Sequence, residues 1–307
     1  MCPVSSEPAR RATAEERGSA GRGAVAGDKQ FTTVEGPAHE TELVRELMRR
    51  AAPMRKDQTS CPFGLYYVDA TSEFGILGRT VELEVFWDQF GNDRDLLASE
   101  YGPYDEHSIY VILIDHMKEL VAGVVRIIED SVLGLKTLHE IERTEGWQRT
   151  FDEIKDFHDL GYNRDDLWDV AGLAVRQAWR ANAGGGMVSI GLYHGVVIGA
   201  LLAAKGGLLA ALDDVVADIM IDFGSPWVHV CDLPPVEYEG SPSTSPMLVE
   251  VGILRETLGA ASDIGRMICY GSNFEGLLSI PVISIEAGPM SPVDVESLSA
   301  VAAIPRR

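Results

Sequence analysis

The sequence predicts an α/β fold in which a mixed, splayed β-sheet is flanked by helices. The first observation is Leu167–Val175, a short apolar segment typical of a central strand, which precedes a basic, glycine-rich turn and a long apolar helical segment. The second is a pair of apolar segments, residues 109–115 and 120–128, which a short polar turn joins into a hairpin. Hairpins mixed with crossover helices indicate parallel and antiparallel neighbours in one sheet. Such a sheet opens where parallel neighbours diverge, and ligands bind in openings of this kind.

The other elements follow from residue spacing and from capping residues. Apolar residues at helical spacing predict helices over residues 40–52 and 72–90, the second with Ser72 as its N-cap. We also predict a strand at 64–70, a loop at 91–106, a polar helical stretch at about 135–160, a strand at 207–212, a helix at 213–223, and strands at 226–233 and 246–254.

Acidic residues dominate the charge of the chain. Its 307 residues include 47 Asp and Glu but only 26 Lys and Arg, which gives a net charge of −21. Such a surface repels nucleic acids and anionic membranes, so we expect neither as a partner. A chain of this length with 46% hydrophobic residues is long enough for one large domain or two small ones.

The cysteines and the first residues indicate a cytoplasmic protein. Four cysteines are scattered without C-x-x-C spacing, which argues against a disulfide framework or a zinc knuckle. Residues 1–30 lack the apolar core of a secretory signal. The apolar run at 185–212 is predicted to be a buried core helix rather than a membrane span, because His194 and Lys205 interrupt it.

Composition divides the chain into three parts. Residues 1–30 contain almost no large apolar residue and are predicted to be a disordered tail. Residues 31–254 are predicted to form the main domain, and residues 255–307 a C-terminal extension. The apolar run at 277–285 in this extension is a candidate surface for a homodimer.

The turn after Leu167–Val175 has the composition of an anion-binding site. Two arginines and three glycines stand there, namely Arg176, Arg180, Gly184, Gly185 and Gly186. Free N–H groups at a helix start attract anions, glycines admit a ligand close to the backbone, and arginines bind phosphate oxygens. An anionic cofactor such as coenzyme A fits these features. The alternative is a flexible turn between two core elements.

This stretch resembles the signature of the GNAT acyltransferase superfamily. In that superfamily the fourth strand ends in a valine, and an Arg/Gln–x–x–Gly–x–Gly/Ala loop leads into a helix. Here Val175 closes the strand, Arg180 takes the place of the arginine, and Gly184 stands one residue later than the first signature glycine. The resemblance implies a GNAT-like sheet over about residues 64–254. It also implies that the stretch from Val175 to Gly186 binds the pyrophosphate of an acyl thioester.

Residues 79–126 resemble one branch of that superfamily, the acyl-homoserine lactone synthases and bacterial N-acyl amino acid synthases. The residues that carry this resemblance are Arg79, Val85, Phe86, Trp87, Glu100, Tyr104, Asp105, Gly123 and Arg126. Trp168 and Asp169 also resemble a Trp/Phe-Glu pair that begins the fourth strand in those families. The resemblance implies a coenzyme A or phosphopantetheine thioester as acyl donor, with an acyl carrier protein as a candidate partner.

Amide formation gives these residues candidate roles. An amine must lose a proton when it attacks a thioester, and Glu100, Asp105 and Asp169 are the candidate carboxylates that orient its ammonium group and accept the proton. Arg126 is the candidate for holding a carboxylate or lactone oxygen of the acceptor. The structural alternatives are surface acids for Glu100 and Asp105, and a structural hydrogen bond or ion pair for Asp169. For Arg126 the alternative is a salt bridge with Glu100 or Asp105.

Further candidates are aromatic residues and backbone groups. Trp87 and Trp168 are candidate walls of the substrate pocket, and the alternative is a place in the core. Backbone N–H groups near the end of the fourth strand are expected to polarise the thioester oxygen. We expect no metal, because His107, Asp115 and His116 lie close in sequence but lack a further ligand at a metal-like spacing.

We therefore expect an N-acyltransferase. It would move an acyl group from acyl-coenzyme A or an acyl carrier protein to the amine of an amino acid or a related small metabolite. The thioester would be a substrate rather than a prosthetic group. The alternative hypothesis is a non-catalytic GNAT-like module that binds a ligand or partner. It is favoured by the absence of tyrosine from residues 213–223, because many GNAT enzymes use a tyrosine there to protonate the leaving thiolate.

Overall fold

The computed structural model describes residues 31–52, 63–180, 186–230, 233–270 and 282–284. The strands in these ranges are β1 Phe63–Asp69, β2 Ser108–Asp115, β3 Leu120–Ile128, β4 Leu167–Val175, β5 Gly207–Asp213, β6 Val228–His229, β7 Val236–Tyr238, β8 Ser241–Glu250 and β9 Val282–Ser284. The helices are α1 Pro37–Ala51, α2 Gly75–Phe90, α3 Arg94–Tyr101, α4 Lys136–Arg143, α5 Lys155–Leu160, α6 Gly186–Leu202, α7 Asp214–Asp222, α8 Val251–Ala261 and α9 Asp263–Tyr270.

The strands form one mixed sheet in the order β6-β8-β5-β4-β3-β2-β1-β9, and β7 also pairs with β8. Strand β4 is parallel to β5, and β9 is parallel to β1. The other neighbours, from β1–β2 through β7–β8, are antiparallel. The predicted hairpin is confirmed as β2 and β3, and the mixed sheet flanked by helices is confirmed as well.

Helix α6 packs on one face of the sheet and is apolar on nearly all sides. Two glycines let it approach closely. A Cβ at Gly195 would stand 2.6 Å from Val111, and one at Gly199 would stand 2.7 Å from the hydroxyl of Tyr67. The predicted core helix is thus confirmed. In the part of the chain that the structure describes, no helix has both the length and the apolar character to cross a membrane.

Helices α1 and α2 cover the opposite face of the sheet. Leu47 of α1 and Leu77 of α2 are fully buried there with Tyr66 and Tyr110 of the sheet. A separate apolar cluster around Trp147 lies where α4 and α5 meet strands β4, β5 and β8. This cluster places the start of α4 beside β4, which matters for the site described below.

The segment predicted as a loop, residues 91–106, instead contains helix α3 and the start of a 3-10 turn. The Asp93 side chain caps α3 by accepting a hydrogen bond from the Leu96 N–H at 2.9 Å. Leu97 and Tyr101, four residues apart, are buried on one side of the helix. The loop prediction is wrong because the many acidic residues mask this short apolar stripe.

Two strand predictions near the carboxyl end are only partly correct. Among residues 226–230 and 233, the part of this segment that the structure describes, Val228–His229 form a strand. The strand predicted at 246–254 begins earlier, at Ser241, and gives way to helix α8 at Val251. The Val251 N–H donates to the carbonyl of Gly206 at 2.9 Å, at the point where the chain leaves the sheet. The apolar run continues across this junction, so hydrophobicity does not mark it.

Smaller corrections concern two helices. The polar stretch at 135–160 forms two short helices, α4 and α5, and Gly146 lies between them with a φ of 96°. Helix α2 begins three residues after Ser72, whose hydroxyl accepts a hydrogen bond from the Gly75 N–H at 3.2 Å.

The predicted tail, residues 1–30, lies outside the described residues. Of the run at 277–285, only β9 is described, so the homodimer stays a prediction.

Candidate functional site

Strands β4 and β5 pair over only three residues. Residues 167–169 lie opposite residues 207–209. Beyond them β4 continues to Val175 with β3 as its partner, while β5 continues to Asp213 with β8 as its partner. Each strand therefore turns an unpaired edge towards the other, which confirms the predicted splay. Backbone N–H and C=O groups on such edges need partners, so the opening is a place for a ligand.

A β-bulge interrupts β4 just where it leaves β5. Arg126 of β3 lies opposite Gly172. The next residue of β3, Ile127, lies opposite Val170, so Ala171 is an extra residue on β4. The three residues 170–172 are only partly buried. Bulges redirect backbone groups and are frequent beside active sites.

The outer half of β4, which is the part from the bulge to Val175, directs backbone N–H and C=O groups into the opening between β4 and β5. The Arg176 N–H donates to the carbonyl of Ala122 on β3 at 3.1 Å. Since successive residues of a strand alternate in direction, Leu173 and Val175 direct their N–H and C=O groups away from β3. In agreement, the Val175 carbonyl accepts a hydrogen bond from Nε of Arg180 at 2.8 Å. These are the backbone groups that the sequence predicted near the end of the strand.

The two arginines predicted to bind an anion have different surroundings. Arg176 is buried, and its guanidinium contacts the Glu40 carboxylate at 2.5 and 2.9 Å and the Glu84 carboxylate at 2.8 Å. Burial lowers the pKa of Arg176, but Glu40 and Glu84 raise it above its ordinary value. Arg176 thus links α1 and α2 to the sheet. Arg180 is partly exposed at the end of β4.

Of the three predicted glycines, Gly186 is described and begins helix α6. A Cβ at Gly186 would meet no atom of the described residues within 4 Å. The first N–H groups of a helix lack intrahelical partners and favour anions. Gly184 and Gly185 lie outside the described residues.

Arg126 is the centre of a buried ion-pair network. It is fully buried, with Nε 3.0 Å and Nη2 2.8 Å from the Glu82 carboxylate and Nη1 2.7 Å from Asp105. The Tyr110 hydroxyl donates to Glu82 at 2.6 Å and accepts from Arg126. Burial lowers the pKa of Arg126, but Glu82, Tyr110 and Asp105 raise it well above its ordinary value. The salt bridge between Arg126 and Asp105, the structural alternative, is therefore present.

The acids at positions 100 and 105 have different partners. Asp105 contacts Arg126 and also lies 3.5 Å from Arg79. Glu100 forms an ion pair with Arg143 at 2.6 Å. About a fifth of each carboxylate side chain is exposed. The structure therefore keeps both acids near the surface but in ion pairs, and it does not bring Arg126 and Glu100 together as a pair.

Asp169 connects β4 to helix α4. Its Oδ2 accepts from the Thr137 N–H at 2.5 Å, and its Oδ1 accepts from the Thr137 hydroxyl at 2.8 Å. Thr137 lies in the first turn of α4, where N–H groups have no partner within the helix. Complete burial raises the pKa of Asp169 from 3.8 to about 6, although the bonds from Thr137 lower it. These contacts match the structural alternative for Asp169.

The two predicted tryptophans have opposite environments. Trp168 is buried, its indole N–H donates to Glu129 at 3.0 Å, and its ring lies against Gly199 of α6. It belongs to the core cluster beneath α6. Trp87 lies on α2 with 58% of its surface exposed. The core alternative therefore describes Trp168 but not Trp87.

Sequence reasoning missed a second buried polar group at the start of α4. The Lys136 ammonium donates to Glu239 at 2.8 Å and to the Tyr238 hydroxyl at 2.6 Å. The Tyr101 hydroxyl lies 3.1 Å from Glu239 and 3.2 Å from the carbonyl of Ala171 in the bulge. Burial lowers the pKa of Lys136, but Glu239 raises it above its ordinary value. Because 103 positions separate Lys136 from Glu239, no local pattern connects them.

A metal centre is not evident at this site. Over residues 31–52, 63–180, 186–230, 233–270 and 282–284, no three His, Cys, Asp or Glu side chains are arranged to hold a metal ion.

Comparison with known proteins finds likeness in structure only. No protein-family model matches the chain, and no curated protein is similar to it in sequence. Its structure is similar to that of FeeM, an N-acyl amino acid synthase from uncultured soil microbes, with 17% identity over 64% of this chain and 95% of that one and a TM-score of 0.48. It is also similar to BjaI, a coenzyme A-dependent acyl-homoserine lactone synthase, with 12% identity over 78% of this chain and 99% of that one and a TM-score of 0.45. A third similar structure is the lactone synthase LasI, with 15% identity over 68% of this chain and 94% of that one and a TM-score of 0.43. These proteins come from the same branch that the sequence motifs resemble.

Proposed function

We propose that the chain is an N-acyltransferase that moves an acyl group from a pantetheine thioester to the amine of an amino acid or a related small metabolite. The opening between β4 and β5 is the observation that carries this proposal. A pantetheine arm is an extended chain with amide groups, and such chains bind well along an unpaired strand edge. The class of activity is the one named for FeeM, BjaI and LasI, but the support comes from the residues of this chain.

The donor would lie along β4 with its phosphates at the outer end. There Arg180 and the first N–H groups of α6 meet an anion, while Arg176 is already neutralised by two carboxylates. The arm would run inwards past the backbone groups of Leu173 and Val175. The thioester then comes to the bulge, close to the place where β4 and β5 separate.

The reaction needs three events at this inner end. The amine nitrogen attacks the thioester carbon, and backbone N–H groups of β4 stabilise the charge that develops on the oxygen. The tetrahedral intermediate collapses, the C–S bond breaks and the thiolate leaves. The proton of the amine passes to a carboxylate or to water. Of the predicted acids, Glu100 and Asp105 keep some exposure, so they are the proposed acceptors of this proton, directly or through water.

A non-catalytic binding module is the second candidate. The specific observation in its favour is that Glu100, Asp105 and Asp169 are all engaged by cations or by hydrogen-bond donors. Such a module would bind the thioester without consuming it. The two candidates therefore differ in turnover rather than in binding.

Native mass spectrometry of the purified protein with coenzyme A and a series of acyl-coenzyme A thioesters tests binding. We expect a one-to-one complex that is lost in Arg180→Ala and kept in Arg164→Ala, which removes an exposed arginine just before β4 begins. Release of free thiol on addition of amino acids then tests turnover. The same assay with acyl groups on a phosphopantetheinylated carrier protein identifies the donor.

The outcomes separate the candidates. Binding with thiol release supports the acyltransferase, whereas binding without release from either donor supports the binding module. Absence of binding to any thioester and of release from a charged carrier protein, in a folded protein, contradicts the proposed site.

A further inference from the structure

Helix α4 is connected to β4 by hydrogen bonds before the bulge and at the bulge itself. Before the bulge, Asp169 accepts from the N–H and the hydroxyl of Thr137 in the first turn of α4. At the bulge, the carbonyl of Ala171 is connected to the neighbouring Lys136 through the side chains of Tyr101 and Glu239. The backbone of the bulge thus forms part of a closed ring of hydrogen bonds.

In the connection to Ala171, the single hydroxyl hydrogen of Tyr101 faces two acceptors. The Tyr101 hydroxyl lies within hydrogen-bond distance of the Glu239 carboxylate, at 3.1 Å, and of the Ala171 carbonyl, at 3.2 Å. Burial and the charge of Glu239 raise the pKa of Tyr101 well above its ordinary value, so the phenol stays protonated. A carboxylate is a stronger acceptor than a carbonyl. When the Tyr101 hydroxyl donates to Glu239, the Ala171 oxygen is left to accept from another donor.

Glu239 has a backbone conformation that the turn itself does not favour for this residue. It occupies the first position of the two-residue turn between β7 and β8 with a φ of 46°, and Gly240 follows with a φ of 90°. Two positive φ angles are typical of a tight hairpin turn in which Asn, Asp or Gly is preferred at the first position. A glutamate there is strained, which points to a role for its side chain.

We propose that the carbonyl oxygen of Ala171 accepts a hydrogen bond from the N–H of the amine acceptor. Glu239 is then a positioning residue that keeps this oxygen available by accepting the hydrogen bond of the Tyr101 hydroxyl. This inference rests on the proposed acyl transfer. The amine rather than the donor is the source of the N–H group, because Ala171 lies at the inner end of the opening, about 13 Å along β4 from Val175 and the phosphate end.

Two substitutions have opposite expected effects. In Glu239→Gln the amide oxygen faces the Lys136 ammonium, so the NH₂ group faces Tyr101 and donates to the phenol oxygen. The Tyr101 hydroxyl then donates to the Ala171 carbonyl oxygen, where it competes with the N–H of the amine. In Tyr101→Phe no hydroxyl remains, so the Ala171 oxygen is free for the amine.

Steady-state kinetics with separate variation of amine and thioester test this inference. We expect Glu239→Gln to raise the KM for the amine about tenfold and to leave the KM for the thioester within about twofold. Tyr101→Phe should leave the KM for the amine unchanged or lower it. The double variant should behave like Tyr101→Phe. Without the hydroxyl at position 101, the side chain at position 239 has no effect on the hydrogen bonding of the Ala171 oxygen.

Glu237→Gln is the matched control, since it removes an exposed carboxylate from the same hairpin. All variants are assayed at a temperature where circular dichroism shows them folded. A merely structural role would raise the KM in both single variants and add in the double variant, which overturns the inference. An equal effect of Glu237→Gln and Glu239→Gln also overturns it.

Failure of the proposed function looks different. If the wild-type protein releases no thiol with any donor, acyl transfer is refuted and this inference falls with it. If the wild-type protein turns over and the amine KM of Glu239→Gln is unchanged, acyl transfer stands and only the role of Glu239 is refuted. If Glu239→Gln does not fold, a raised amine KM in Tyr101→Phe alone refutes the role.

Discussion

Asp169 should make the protein less stable as the pH rises from about 4 to about 6. Its pKa is raised from 3.8 to about 6 by complete burial. Below pH 4 the carboxyl group is protonated in the folded and the unfolded chain. Between these values the unfolded chain loses the proton while the folded chain keeps it, so the folded state binds more protons and its stability falls with pH. The shift corresponds to about 3 kcal/mol of unfolding free energy.

The variant Asp169→Asn isolates this effect, because its amide oxygen still accepts from the Thr137 N–H and it carries no titrating proton. Urea unfolding of the wild-type protein and the variant at pH 4, 5, 6 and 7 gives their free energies of unfolding. We expect the wild-type value to fall relative to the variant by about 2 kcal/mol over this range and then to level off. Asp165→Asn, which removes an exposed carboxylate just before β4, controls for the loss of one charge. A free energy of unfolding that rises with pH in the wild-type protein relative to Asp169→Asn would refute the reasoning. The hydrogen bonds from Thr137 would then outweigh the effect of burial on the pKa of Asp169.

Three further substitutions test buried contacts. Arg126→Met should lower the free energy of unfolding by about 3–5 kcal/mol, because the buried carboxylate of Glu82 loses its cation, and a loss below about 1 kcal/mol in urea unfolding would contradict this. Arg176→Met should lower the free energy of unfolding by about 3 kcal/mol, because it leaves the Glu40 carboxylate without a cation. The variant should still form the thioester complex in native mass spectrometry. Loss of this complex in a folded variant would instead support the predicted role of Arg176 in donor binding. Trp168→Phe should cost about 1 kcal/mol, because the partly buried carboxylate of Glu129 loses the indole N–H, and unchanged thermal unfolding would argue against this bond.

Sequence patterns located two central strands of the sheet. Leu167–Val175 coincides with β4 and Leu120–Ile128 with β3. An unbroken apolar segment between polar turns leaves little freedom in where a central strand begins and ends. The same pattern failed at Val251, where the apolar run crosses from β8 into α8. Hydrophobicity reports burial, and Val249 of β8 and Val251 and Leu254 of α8 are all buried.

The partners of the charged side chains could not be predicted in this way. Arg176 and Arg180 stand in one turn and look equivalent in the sequence. Glu40 lies 136 positions from Arg176 and neutralises it, whereas Arg180 bonds a backbone carbonyl. For Arg126 the sequence left open a salt bridge with Glu100 or Asp105, and the structure contains the bridge with Asp105. The role of a charged residue depends on whether packing brings it a protein partner. That depends on contacts far apart in the chain.

The position of Arg126 favours a geometric role for its guanidinium group. Replacing a buried ion pair by apolar residues of similar size is often neutral or stabilising, so such pairs are a poor means of holding a core together. Arg126 lies opposite Gly172, next to the bulge, and Glu82 and Asp105 fix its guanidinium from α2 and from the turn before β2. Helix α4 holds the other side of the same bulge through Asp169. We therefore expect Arg126, Glu82 and Asp169 to act on the opening by fixing the shape of β4, without needing to touch a ligand. Arg126→Met should then impair turnover more than it impairs thioester binding in the folded protein.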